Sequence, residues 1–125
     1  MTRHLDREVG RLKRMLLALS AVVEENVQRS VRALVGHDAA LAREAMRLDD
    51  EAIDGAEVEV EEECLKTLAL HQPVASDLRF IIAVLKINSD LERVGDMAVN
   101  IAERAAYLQE ACAVDMPIDM RAMCE

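Results

Sequence analysis

Aromatic residues are almost absent from this chain of 125 residues, which has one Phe, one Tyr and no Trp. Glycine and proline are also scarce, with four and two residues. Sandwiches and barrels need many turns, so this composition argues against both and favours long helices. Hydrophobic residues make up 52% of the chain. That share is enough to build a core, and it excludes a disordered tail.

Positive charge is in the minority. The net charge is −9, and nucleic-acid binding is not expected because phosphate contacts require a clustered basic surface. The longest uncharged run near the N-terminus is nine residues, 15–23, whereas a membrane-spanning helix needs about 20. Direct insertion into a membrane is therefore not expected. The three Cys are widely spaced and odd in number, which predicts reduced thiols in a cytoplasmic protein.

Apolar residues recur every three or four positions in three stretches, about 6–35, 39–70 and 74–108, and this period predicts long helices. Gly36 is expected to take the left-handed position that ends the first helix, and Asp38 to cap the second. Because short connections force neighbouring helices to run antiparallel, the predicted fold is all-α, an antiparallel up-down-up three-helix bundle.

Each predicted helix carries a stripe of apolar residues that should face the core. On the first helix these are Leu5, Val9, Leu12, Leu16, Leu19, Val23, Val27, Val31 and Leu34. On the second helix they are Leu41, Ala45, Leu48, Ala52, Ala56, Val60, Cys64 and Leu68. Pro73 should end the second helix and start the third.

Two rows of polar residues, mostly acidic, follow the same helical period. The row on the second helix is Asp50, Asp54, Glu57 and Glu61, and the row on the third is Glu92, Asp96, Asn100 and Glu103. Residues spaced in this way share one face of a helix. Asp54 and Glu92 lie at similar distances from the connection at Gln72, so the two rows can face each other.

Facing rows of carboxylates repel each other unless a cation lies between them. Carboxylate oxygens suit Mg²⁺, Mn²⁺, Ca²⁺ or iron. The alternative is that both rows are solvated helix faces. No Glu of these rows is followed by His at the third position, as the di-iron bundle enzymes require. The sequence also shows no nucleophile–base pair and no glycine-rich phosphate loop, so an enzyme is not expected.

Three stretches of the chain resemble the PhoU domain family. The stretch 68–79, LALHQPVASDLR, is similar to the family's turn between its second and third helices. The stretch 91–102, LERVGDMAVNIA, resembles the family's signature segment. The stretch 49–54, DDEAID, resembles its acidic motif in the second helix. The motifs occur in the family's order and at its separations.

The resemblance implies a metal site. The family's pattern of an acidic residue, three residues and then Asp is met by Asp50 with Asp54 and by Glu92 with Asp96. In relatives these positions are associated with iron, zinc or other divalent ions. The expected cofactor is therefore a divalent or trivalent metal ion, such as iron, zinc, magnesium or manganese. Asn100 extends the third-helix motif as an additional ligand.

The resemblance also implies a function and partners. The family's role is non-enzymatic negative regulation of phosphate uptake and phosphate-starvation signalling in the cytoplasm. It acts as an adaptor between the ATPase of a phosphate ABC transporter and a sensor histidine kinase. Arg79, which follows the turn motif, is a candidate partner contact. The alternative for Arg79 is an ion pair with Asp77 or with an acid of the second helix.

Two parts of the chain are distinguished by the resemblance. Residues 1–110 resemble one PhoU repeat, and residues 111–125 resemble the lead-in to a second repeat, because family members usually contain two in tandem. Self-association into a homo-oligomer would replace the missing repeat. Two alternative functions remain open at this point: a generic helical oligomerisation or metal-binding module, and a carboxylate-bridged metalloenzyme.

Overall fold

The computed structural model describes the backbone of residues 2–113 and the side chains of residues 4–108. In this part of the chain all regular structure is helical: α1 (Thr2–Val35), α2 (Ala39–Leu48), a π-helical turn (Asp49–Ile53), α3 (Asp54–His71) and α4 (Ala75–Ala113). No loop separates α2, the π-turn and α3, so residues 39–71 form one middle segment. The predicted all-helical fold is confirmed. Of the predicted tail, residues 114–125 lie outside the described residues.

The connection after α1 differs from the prediction in one residue. His37, and not Gly36, takes the left-handed conformation, with a φ of 53°. Gly36 still belongs to the last helical turn because its N–H donates to Arg32 O at 2.8 Å. Asp38 N–H then donates to Ala33 O at 2.9 Å, which is the wide closure of a Schellman motif around His37. The prediction that Asp38 caps α2 is confirmed, since its carboxylate accepts from Leu41 N–H at 3.0 Å.

The connection between the middle segment and α4 is set by Pro73. The segment ends at His71, and Gln72 takes the left-handed conformation with a φ of 42°. Its N–H donates to Leu68 O at 3.2 Å, which satisfies one of the last carbonyls of the helix. Pro73 is buried, and α4 begins two residues later at Ala75. The predicted stop before Pro73 is therefore confirmed.

Two hydrophobic clusters hold the three segments together. The larger one consists of Leu12, Leu19, Val23, Ile53, Val60, Cys64, Ile81 and Val84. The smaller one consists of Ala33, Ala42, Ala45, Ala102 and Ala105. Because alanine side chains are short, the segments approach each other closely at the second cluster. The near absence of aromatic residues therefore leaves a core of aliphatic side chains, as expected.

Buried polar residues lie between the two clusters along each segment. On α1, Asn26 and Ser30 fall between Val23 and Ala33, and both are buried. Here the prediction for α1 was wrong in detail, since Val31 of the expected apolar stripe is 42% exposed. The buried face of α1 rotates in its second half toward small and polar side chains, because its neighbours there are the alanines of the second cluster.

Each segment packs against both of the others. Asn26 of α1 meets Ala45, whereas Arg11 pairs with Glu63 at 3.6 Å. Residues late in α1 therefore contact residues early in the middle segment. None of the described helices combines the length and the hydropathy that crossing a bilayer requires.

Candidate functional site

The π-turn places two acidic residues on one face of the middle segment. Asp49 is 8% exposed and Glu57 is 7% exposed, with Ile53 buried between them. Eight residues of straight α-helix would leave their directions about 80° apart. The extra residue absorbed by the π-turn reduces this angle to about 20°. Asp49 and Glu57 therefore point the same way and toward α4.

This register corrects the predicted stripe of the middle segment. Ala52, which we expected in the core, is exposed, and Ile53 is buried instead. Glu57 consequently leaves the predicted row with Asp50 and shares a face with Asp49. Ile53 is the only large apolar residue between positions 49 and 57. Its burial selects this frame and carries the acids four residues away on either side inward with it.

Two buried asparagines flank the π-turn. Asn26 of α1 donates from Nδ2 to Ala45 O at 3.0 Å, and its Oδ1 accepts from Arg29 at 2.8 Å. Asn88 of α4 donates from Nδ2 to Glu57 O at 3.0 Å. The Ala45 and Glu57 carbonyls lie on either side of the turn, and each accepts from an asparagine of a neighbouring segment. Ala45 O also accepts from Asp49 N–H, so the bond from Asn26 is an additional one.

Gly95 allows α4 to approach these carboxylates. A Cβ at this position would lie 3.2 Å from Asp49 Oδ1 and 3.6 Å from Glu57 Oε1, with Ile53 Cγ2 at 4.0 Å. A side chain would therefore press on Asp49 and make ordinary van der Waals contact with Glu57 and Ile53. The glycine in the LERVGD motif serves a packing need, because its φ is not positive.

The buried carboxylates carry an electrostatic cost. Burial, and next the charges of Asp54, Asp96 and Asp50, raise the pKa of Asp49 to about 6. Burial, and next the charge of Glu92, raise the pKa of Glu57 to about 7. None of the hydrogen bonds between described residues ends on either carboxylate. A cation or a bound proton would therefore stabilise this face.

Four of the predicted ligands surround this buried pair: Asp50, Asp54, Glu92 and Asp96, called the motif acids below. All four are exposed. They come from two segments and lie near enough to influence one another, since the pKa of Asp54 is raised by burial and then by the charges of Asp50 and Asp96. The structure therefore brings Asp50, Asp54 and Asp96 into one region, and the metal-binding role of the four motif acids stays a prediction.

Asn100 lies elsewhere on α4. It borders a cavity that none of the motif acids lines, together with Glu103, Arg104, Tyr107 and Leu108.

Arg79 is exposed near the start of α4. Among the side chains that the structure describes, Arg79 forms no ion pair, so the alternative pairing with Asp77 is not observed.

The donor set of this face fits a hard cation better than any other group, because it consists of carboxylate oxygens without a basic side chain among them. Within residues 4–108, however, no three His, Cys, Asp or Glu side chains are already arranged to hold a metal ion. Direct ligation would therefore require the exposed motif acids to change rotamer, or water to bridge them to the ion.

Sequence reasoning missed Asp49 as a member of this site and counted Glu57 only as part of a row. Both are the most buried acids of the face. The available signal was Ile53, the one bulky apolar residue in an acidic stretch.

Fold and site together define an all-helical domain whose middle and last segments build a partly buried acidic face. The chain belongs to the PhoU family, because the model described as PhoU domain matches residues 16–105. It is 42% identical to the phosphate-specific transport system accessory protein PhoU homolog of Aquifex aeolicus, over 85% of this chain and 48% of that protein. The homolog of Pseudomonas aeruginosa is 40% identical, over 88% of this chain and 47% of that protein.

A solved structure shows the same fold. The crystal structure of PhoU from Pseudomonas aeruginosa matches with a TM-score of 0.80 and 42% identity, over 85% of this chain and 50% of that chain. The chain thus spans about half the length of the relatives it matches.

Proposed function

We propose that this chain is a non-enzymatic regulator of phosphate transport. The observation that carries the proposal is its membership of the PhoU family, together with relatives that are named accessory proteins of a phosphate-specific transport system. The regulation is negative, and the chain acts in the cytoplasm as an adaptor between the transporter ATPase and a sensor histidine kinase.

A phosphate-responsive reporter tests this role. In cells that lack the gene and grow in high phosphate, the reporter should be expressed constitutively, and a plasmid carrying this chain should restore repression. A reporter that stays repressed without the gene would contradict the proposal. Constitutive expression that the chain cannot repress would show that its sequence alone is insufficient for the role.

Partner binding is proposed to involve Arg79. Its exposure and its position after the turn motif support this role. Arg79→Glu should weaken capture of the transporter ATPase without unfolding the bundle. Arg93→Glu is a matched control, because Arg93 is an exposed arginine further along the same helix. Equal capture by the two variants would refute a specific role for Arg79.

Metal binding at the motif acids, with Asn100 as a further ligand, is the second part of the proposal. It is supported by the clustering of unneutralised carboxylates around Asp49 and Glu57. A divalent or trivalent ion such as iron, zinc, magnesium or manganese would offset their repulsion.

The up-down-up order of the three segments is also part of our proposal. The contacts of Asn26 and Arg11 with the middle segment support it.

Elemental analysis of the purified chain tests the metal proposal. Replacing the four motif acids with alanine should abolish bound metal. The control replaces four exposed acids elsewhere, namely Glu24, Glu59, Glu62 and Asp90. The control should keep its metal although its net charge changes by the same amount. Equal metal content in both variants would rule out the motif acids, and Asn100→Ala alone reports the contribution of Asn100.

Self-association is the last part of the proposal. Exposed apolar side chains along α4 support it, with Ile87 45%, Val94 39% and Met97 61% exposed. Light scattering after gel filtration should give a mass above 13.9 kDa, the mass of one chain. A monomer at micromolar concentration would contradict this part and leave the regulatory proposal standing.

A further inference from the structure

Two rows of residues, each with an interval of seven, pack α4 into the bundle. The first row is Ile81, Asn88, Gly95 and Ala102, and the second is Val84, Leu91, Ala98 and Ala105. All of them are buried except Leu91, which is half-buried. Two rows of this kind are what a helix needs to pack against its neighbours in a bundle. Any further apolar row on α4 is therefore not required by the bundle itself.

α4 carries such a third row, and we call it the outer row. It consists of Phe80, Ile87, Val94, Ile101 and Leu108, again with a strict interval of seven. Ile87, Val94 and Leu108 are 45%, 39% and 38% exposed, whereas the other two are half-buried. At about 1.5 Å per residue the row is about 42 Å long. An interval of seven keeps one seam turned toward a partner helix, so the outer row indicates a further helix–helix contact.

A mixed row with the same interval borders the outer row. It consists of Asp90, Met97 and Arg104, and all three side chains are exposed. Asp90 precedes Met97 by the same number of residues as Arg104 follows it. Neither charge forms an ion pair with a residue whose side chain the structure describes. The two charges are therefore opposite in sign and equally far from Met97.

This arrangement of charge makes the face complementary to itself in one orientation. In an antiparallel pair of α4 helices with the two-fold axis near Met97, Asp90 of each copy lies opposite Arg104 of the other. The ion pair then forms twice, because a two-fold interface uses the same patch on both copies. A parallel pair in register would instead place each charge against its like, which repels. The occupant that fits the outer row is thus a second, antiparallel copy.

The relatives agree with a second copy. This chain spans about half the length of the relatives it matches, so two copies together supply that length. We propose that two copies of this chain associate antiparallel along α4, with their outer rows in contact and Asp90 of each copy paired with Arg104 of the other. This interface rests on the self-association proposed above and gives it a surface and an orientation.

Charge reversal tests the pairing. Sedimentation equilibrium of the whole chain gives the Kd of the dimer. Asp90→Arg and Arg104→Asp each place like charges opposite each other at two points, and each should raise the Kd about tenfold or more. The double variant restores opposite charges and should return the Kd close to that of the wild type. Since the two residues lie about 21 Å apart along one helix, such a rescue reports a contact between copies.

Two control variants separate the outer row from the rest of α4. Glu103→Arg changes the net charge as Asp90→Arg does, but at an exposed residue on another face of α4, and should leave the Kd unchanged. Val94→Asp should give a monomer of 13.9 kDa, since Val94 lies in the outer row. Ile82→Asp should still dimerise, because Ile82 is 47% exposed but lies outside that row. Circular dichroism verifies that each variant keeps its helices.

The possible failures are distinguishable. A dimer that Val94→Asp weakens no more than Ile82→Asp would overturn the α4 interface and leave self-association standing. Two weakened single variants without rescue in the double variant would overturn the antiparallel pairing. A wild-type monomer would overturn both this interface and the self-association on which it rests.

Discussion

Replacing Gly95 with alanine measures how closely α4 packs against the acidic face. Gly55 provides the matched control, because it is also a helical glycine but has nothing within 4 Å of the position of an added Cβ. In both variants the alanine gains helix propensity, about 1 kcal/mol relative to glycine. Any difference between the two variants therefore reports the surroundings of the added methyl group.

The expected difference follows from the contacts that the added methyl group would make. At Gly95 the methyl group would lie 3.2 Å from Asp49 Oδ1 and 3.6 Å from Glu57 Oε1, so a buried carboxylate must move away from it. Overpacking of this kind costs about 1–3 kcal/mol. Gly55→Ala should raise the free energy of unfolding by about 1 kcal/mol. Gly95→Ala should fall below Gly55→Ala by about 1–3 kcal/mol.

Urea unfolding followed by circular dichroism, with a chelator present and at pH 7, gives both free energies. The slope of the free energy of unfolding against urea concentration should be the same in both variants. A difference in the midpoint then reports a difference in stability and not in the surface exposed on unfolding. Equal stabilisation by the two substitutions would refute the close approach of α4 to Asp49 and Glu57. The same result would remove the packing reason for the glycine in the LERVGD motif.

Three further outcomes are expected. Without metal, the free energy of unfolding should fall as pH rises from about 4 to above 7, because raised pKa values of about 6 for Asp49 and about 7 for Glu57 mean that the folded state binds more protons in this window. Each pKa unit is worth about 1.4 kcal/mol of the free energy of unfolding. Asp49→Asn should make the free energy of unfolding, measured in urea, depend less on pH. An unchanged dependence on pH would contradict the burial of Asp49. Asn26→Ala should lower the free energy of unfolding by about 0.5–1.5 kcal/mol in urea titrations, since it removes one of the two hydrogen bonds to the Ala45 carbonyl. Wild-type stability of this variant would contradict that contribution. The Cys64 thiol, buried and with a pKa raised to about 11, should react with iodoacetamide only when the chain unfolds, and peptide mapping that finds it modified in the native protein would contradict its burial.

The helices and their ends could largely be predicted from the sequence. The apolar period of three and four residues, the Asp38 cap and Pro73 each act locally, so their effects can be inferred without tertiary contacts. Gly36 was an exception. The left-handed residue fell one position later, at His37, because α1 continues for one more hydrogen bond.

The acidic face could be predicted only in part. Asp54 and Asp96 were expected in one region, and the structure brings their charges within reach of each other. The burial of Asp49 and Glu57 could not be expected from polarity, because isolated carboxylates are normally exposed. It depends on the π-turn, which tertiary packing selects by burying Ile53. A sequence pattern that assumes about 3.6 residues per helical turn throughout cannot reveal this local change.

The π-turn also sets how the middle segment responds to a change in its length. α2 contributes Ala42 and Ala45 to one cluster, while α3 contributes Val60 and Cys64 to the other. Because the turn absorbs one extra residue, deleting a residue there would leave a straight α-helix with both clusters in register. Inserting a further residue would instead rotate α3 against α2 by about 100°, the angle of one helical step, and only one cluster could then keep its partners. The middle of this helix is therefore expected to tolerate the loss of one residue better than the gain of one.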